Sequence, residues 1–188
     1  MSYKTTDGLM RHLRDNGIAI SGSAQKRQLI NTGYYHGYKG YRFFKSAGNR
    51  LPFTSYQELY ATIEYDAALK SLFYGKMMFI ETAAKNIART YAIAHNAVIF
   101  DTRFRSFDSS KAMNACLKSA IGLPYVNFKT IGDYMLLVCY YLKLLHMPKT
   151  EIKAFVREFE RITASYRDSV DPSVASIVIH PDLSARME

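Results

Sequence analysis

From Ser55 to His95 the chain contains no proline and one glycine, Gly75. Proline removes a helical hydrogen bond and clashes with the preceding turn, while an interior glycine costs about 1 kcal/mol relative to alanine. So long a stretch without a strong breaker favours helix. Across its second half, Phe73, Met77, Ile80, Ala84, Ile87, Tyr91 and Ala94 recur at spacings of four and three, which places them on one helical stripe. The spacing predicts one long amphipathic helix, or two separated by a kink near Gly75.

Shorter elements flank it. Thr6 can cap a helix running through Asp15 and stopped by Asn16-Gly17, and Ser23 can cap a second that ends at Gly33. The turn-rich "KSAGNRLP" then leads into the long helix. Beyond it, residues 96–108 read as an irregular excursion. Ser109 to Ala120 reads as a helix closed by Gly122-Leu123-Pro124, and Thr130 to His146 as a strongly apolar one. Pro148 opens another helix that buries Ile152, Phe155, Val156, Phe159 and Ile162. The segment "SIVIH", between Pro172 and Pro181, reads as a strand or an ordered tail. These patterns predict an all-α, single-domain helical bundle over residues 1–188, with a basic aromatic part at 1–55, a helical core at 55–168 and a tail at 169–188.

The most unusual stretch is residues 31–44, "NTGYYHGYKGYRFF", which holds six aromatic rings and three glycines with a lysine, an arginine and a histidine. Rings interleaved with cations suit single-stranded nucleic acid, because bases stack on the rings for about 1–3 kcal/mol each and cations hold the phosphates. On that reading the contacts come from Tyr34, Tyr35, Tyr38, Lys39, Arg42 and Lys45, with Lys26 and Arg27 of the preceding helix. Gly37 and Gly40 would let the backbone approach a ligand. Packing is the competing reading: Tyr34, Tyr38 and Tyr41 are spaced by four and three, and on a helix they would brace the long helix. Composition leaves both open, and the cations are expected to face outward.

The charge distribution points the same way. The chain of 188 residues carries a net charge of +9, and residues 1–55 hold nine Lys/Arg against two acids, while residues 56–188 hold sixteen against fourteen. A basic front end favours polyanions such as RNA. With 48% hydrophobic and 22% charged residues, neither disorder nor a membrane protein is indicated. The apolar run Tyr134–Leu142 is too short to span a bilayer, and "MSYKTTDGLMRHLRDN" has no signal-peptide character, so a cytoplasmic protein is expected. Cys116 and Cys139 sit alone in helical patterns and read as buried free thiols. His12, His36 and His146 form no ligand-spaced group, so neither a metal nor another cofactor is expected.

The succession "LMRHLRDNGIAI", "QLINTGYYHGYKGYRFF" and "LYATIEYDAALKSLFYGKMMFIETAAKNIART" resembles the bacterial abortive-infection family of the Abi D/F type. The matching positions are Leu29, Tyr34, Tyr35, Tyr38, Tyr41 and Phe44, then Leu59, Tyr60, Asp66, Leu69, Lys70, Ile80, Glu81, Lys85, Ile87 and Ala88. The resemblance covers about residues 5–95. It implies a HEPN-like helical fold, a place in phage defence or a toxin–antitoxin pair with an RNA or protein antitoxin, and in many members a metal-independent ribonuclease that works as a homodimer.

HEPN ribonucleases pair an arginine with a histidine across four to six intervening residues, and "RTYAIAH" offers Arg89 and His95. In that role the histidine moves a proton at the ribose 2′-hydroxyl or the leaving oxygen, and the arginine stabilises charge developing on the phosphate. Six residues of uninterrupted helix leave the two about 240° apart, so they face each other only if the helix ends near Ala94. The alternative is a structural pair at a helix C-terminus. Glu81 and Lys85 are one turn apart, as an ordinary i,i+4 ion pair requires. Asp66 lies between Ile63 and Leu69 near the apolar stripe, where a lone carboxylate is costly. A partner from the basic segment is expected for it, Arg42 or a tyrosine hydroxyl. Two further functions stay open: a non-catalytic protein that holds a structured RNA, and a helical module whose basic face meets an acidic protein.

Overall fold

The computed structural model describes residues 5–43, 50–94 and 131–179, and for residues 35, 88–94, 131 and 133 it describes the backbone alone. The fold is all-α. Among the described residues there are six α-helices, namely α1 (Thr6–Asp15), α2 (Gly22–Thr32), α3 (Tyr56–Ala94), α4 (Ile131–Leu144), α5 (Lys149–Ser169) and α6 (Pro172–Val178), and a π-helical turn at Tyr34–Lys39. They include no β-strand, only the isolated bridges Ala19–Ser55 and Phe43–Arg50. No helix among them is long and apolar enough to cross a membrane. The helix expected at Ser109–Ala120, the excursion at 96–108 and Cys116 lie outside the described residues.

The long helix is continuous through Gly75. Its start is fixed by a reciprocal cap: the Ser55 N–H donates to Glu58 Oε2 at 3.0 Å, and the Glu58 N–H donates to Ser55 Oγ at 3.3 Å. The Thr5 side chain, one residue before the expected Thr6, caps α1 by accepting from the Gly8 N–H at 3.2 Å. The chain leaves α1 through Asn16 and Gly17, whose φ of 82° suits glycine. α2 begins two residues earlier than a Ser23 cap allows, after an extended Ser21 whose N–H donates to Gln25 Oε1 at 2.8 Å. It ends at Gly33 as expected. α4 closes in a Schellman arrangement: the Met147 N–H reaches Leu142 O at 2.9 Å, the His146 N–H reaches Lys143 O at 3.1 Å, and His146 is left-handed at φ 58°.

One expectation is corrected. "SIVIH" is neither strand nor tail over its described part, because Asp171 accepts from the Ser173 N–H at 2.9 Å and Pro172 occupies the first helical position, starting α6. Val174 and Ala175 of that helix are buried.

The chain forms two compact units, Met1–Ser71 with Glu158–Pro181, and Leu72–Arg157 with Asp182–Glu188. Both dividing lines fall inside helices, α3 and α5. The first unit buries Leu13, Ile18, Leu29, Tyr38, Tyr56, Leu59, Phe159 and Val174. Inside it the Tyr65 and Tyr166 rings stack at 4.3 Å, with their hydroxyls hydrogen-bonded to Thr163 at 3.3 Å and Thr62 at 2.9 Å. Glu58 ties three segments of this unit. Besides capping α3, it accepts from the Thr54 N–H at 2.8 Å and the Asp171 N–H at 3.1 Å. Burial raises its pKa, but these donors outweigh that effect and hold the carboxyl below its ordinary value.

In the second unit Met135, Val138, Leu142 and Phe155 are buried, and Phe73 meets Phe155 edge to face at 5.4 Å. The α3 stripe is only partly covered: Phe73 and Ile80 are half-buried, whereas Met77, Ala84 and Ile87 are exposed. Of the residues expected to be buried on α5, Phe155, Phe159 and Ile162 are buried, and Ile152 and Val156 half-buried.

Candidate nucleic-acid interface

The aromatic segment is mainly a bracket. Gly33 turns the chain out of α2, and the π-helical turn carries Tyr34 and Tyr38 toward α1. There the Tyr34 hydroxyl shares a hydrogen bond of 3.2 Å with His12 Nε2, and the His12 ring stands edge-on to Tyr38 at 6.4 Å. Tyr38 is 1% exposed, so no base can stack on it. Gly37 comes close to the protein itself: a Cβ there would stand 3.2 Å from Thr32 Oγ1. The ligand approach expected of this glycine is therefore replaced by contact with α2.

The cations divide into two groups. Lys26 pairs with Asp7 at 2.6 Å, which spends its charge between α1 and α2. Arg42, expected to face outward, is instead half-buried, with its guanidinium carbon 5.7 Å from the centre of the Tyr38 ring and 5.2 Å from that of Phe43. Its Nε, the Tyr38 hydroxyl and Gln28 Oε1 are buried polar atoms without a hydrogen-bond partner among the described residues. Arg11, Arg14, Arg27, Lys39 and Arg50 are exposed. Backbone carbonyls hold two of them, with Arg14 Nε donating to Ile20 O at 2.9 Å and Arg50 Nη2 to Asn16 O at 3.2 Å. A neutral carbonyl leaves the positive charge in place. Among the described residues no carboxylate forms an ion pair with Arg11, Arg14, Arg27 or Arg50. Tyr35 has no described side chain, and Lys45 and Phe44 lie outside the described residues.

Asp66 finds its partner in the aromatic segment. The Tyr41 hydroxyl donates to Asp66 Oδ2, which also takes Lys70 Nζ at 2.5 Å. Burial first, then the bond to Asp66 and its charge, push the Tyr41 phenol well above its ordinary pKa. Glu81 and Lys85 form the i,i+4 pair on an exposed face of α3. Of the ribonuclease pair, Arg89 is placed by its backbone in the last turns described for α3, and His95 lies outside the described residues.

Charge in the fold differs from charge along the chain. Among the described residues the first unit gathers ten Lys/Arg and nine Asp/Glu, because its parts of α3 and α5, with Asp171, are acidic; the second unit holds seven against three. Sequence reasoning missed His12, Arg11, Arg14, Arg50 and Glu58. The "SYQE" string at Ser55–Glu58 was a readable capping signal, whereas nothing local marked His12 as a ring partner. No three of the described His, Cys, Asp or Glu residues gather as a metal site. No family model, curated protein or solved structure matches the chain.

Proposed function

We propose that this chain is an RNA-binding protein of the abortive-infection, HEPN-like type, and that it grips the phosphate backbone through α1, α2 and the segments that follow them. One observation carries the reading: Arg11, Arg14, Arg27 and Arg50 are exposed guanidinium groups that no carboxylate neutralises among the described residues. Guanidinium binds phosphate through paired hydrogen bonds, and it does so more specifically than ammonium. With Tyr38 buried and Arg42 packed on Phe43, affinity rests on phosphate contacts more than on base stacking, so the preference among RNA sequences is weak.

The test is anisotropy of a labelled single-stranded RNA with the native protein and the Arg11→Gln/Arg27→Gln variant. Both positions are exposed, so the fold is retained, and the variant is expected to bind roughly tenfold more weakly. Equal binding by both proteins contradicts the assignment.

Cleavage is a separate step assigned to Arg89 and His95. Products ending in a 2′,3′-cyclic phosphate, lost in His95→Ala with helicity intact, support it. Cleavage unchanged by that substitution removes His95 from the role. Binding without cleavage favours a protein that sequesters a structured RNA, and no binding in dilute buffer favours a helical module for an acidic protein.

A further inference from the structure

The second unit contains a groove of about 470 Å³ lined by Met135, Leu136 and Cys139 of α4 and by Ile152, Lys153, Val156 and Arg157 of α5. Its floor is apolar and its α5 rim cationic. Volumes of about 300–1,000 Å³ with mostly apolar walls and a few convergent polar groups are typical of small-ligand sites. Leu136, Cys139, Ile152 and Val156 are only half-buried, so this apolar surface is reachable.

Lys149, Lys153 and Arg157 follow one another at four-residue spacing along α5, and no carboxylate pairs with any of them among the described residues. Arg157 Nε donates to Lys153 O at 3.4 Å, which leaves both terminal nitrogens of the guanidinium for an anion. This unit also carries the larger excess of cations. We infer that the groove binds a free, single-chain anionic amphiphile, a fatty carboxylate, with its hydrocarbon between α4 and α5 and its carboxylate held by Arg157 and Lys153.

Charge complementarity selects this ligand over an uncharged one. A carboxylate meets Arg157 through two parallel hydrogen bonds, and the hydrocarbon covers Leu136, Ile152 and Val156. Cys139 serves as an apolar wall. Burial pushes its thiol up to about 11, so it stays protonated at neutral pH and adds no competing negative charge.

Calorimetric titration of the full chain with monomeric dodecanoate, below its micellar concentration, tests the inference. The expected result is saturable binding at one site, weakened at least about tenfold in Lys153→Gln/Arg157→Gln, with dodecanol binding more weakly than dodecanoate and unaffected by the same change. The two side chains are exposed, so that variant folds. A nitroxide-labelled dodecanoate locates the chain independently, and it should broaden the methyl signals of Leu136, Ile152 and Val156. No saturable binding, equal affinity for dodecanol, broadening confined to other methyls, or binding only to phosphatidylglycerol vesicles overturns it.

Discussion

Tyr41 and Asp66 join the aromatic segment to the long helix: the phenol donates to a carboxylate that also holds Lys70 one turn further along α3. The bond fastens the end of the glycine-containing π-helical turn to the longest helix of the fold. Because the acceptor is charged, Tyr41→Phe is expected to cost about 1–2 kcal/mol in urea unfolding. A double-mutant cycle with Asp66→Ala, which removes the acceptor, should return most of that as coupling energy. Additive losses would mean that the bond does not hold the segment.

Alkaline pH tests the same region. Burial raises the phenols of Tyr41, Tyr65 and Tyr166 above their ordinary value. A group with a raised folded pKa contributes stability that is intact below the unfolded value, about 10 for tyrosine, and lost as pH rises toward the folded one. The Cys139 thiol, pushed up by burial to about 11, starts a decline in unfolding free energy near pH 9, and the tyrosines steepen it above about 10, where Tyr41→Phe should make it shallower. A decline above about pH 10 that Tyr41→Phe leaves unchanged would contradict the assignment.

Glu58 gives the opposite sign. Its folded pKa is depressed, so its contribution is present above the unfolded carboxyl value of about 4.3 and disappears as pH falls through the folded value. Glu58→Gln should cost roughly 2–3 kcal/mol at pH 7, through the cap and the Asp171 contact together. The gap from the native protein should narrow toward pH 3. A gap that does not depend on pH would show that shape, and not charge, carries the effect.

His146 is exposed and left-handed at the end of α4. Glycine adopts that conformation without the Cβ clash, so His146→Gly is expected to stabilise the protein by about 0.5–1 kcal/mol in spite of its greater freedom when unfolded. Thermal unfolding reads the sign, and a lower melting temperature would refute it.

The parts of the fold legible in the sequence are those set by local chemistry. A run free of proline announced α3, and Gly75 did not interrupt it because one glycine costs less than the packing of the surrounding turns supplies. Asp66 could be assigned a partner because a carboxylate beside an apolar stripe needs one. In α6 the β-branched run Ile177-Val178-Ile179 suggested strand, and the Asp171-Pro172 helix start overrode it. Long-range packing hid the rest. Whether Tyr38 faces solvent depends on His12, twenty-six positions earlier in the sequence. The positive front end is diluted because acidic residues of α3 and α5, with Asp171, belong to the same unit. Neither is visible in a composition window.

The most direct test of the central claim is the salt dependence of RNA binding by the native protein. If exposed arginines hold phosphates, each contact releases counterions, and log affinity for a single strand should fall linearly with log salt, at a slope of about −0.7 for each phosphate neutralised. Four arginines predict a slope near −3 for the native protein and one shallower by about 1.4 when Arg11 and Arg27 are both replaced by glutamine. A flat salt dependence, or no RNA retained in dilute buffer, would contradict the account.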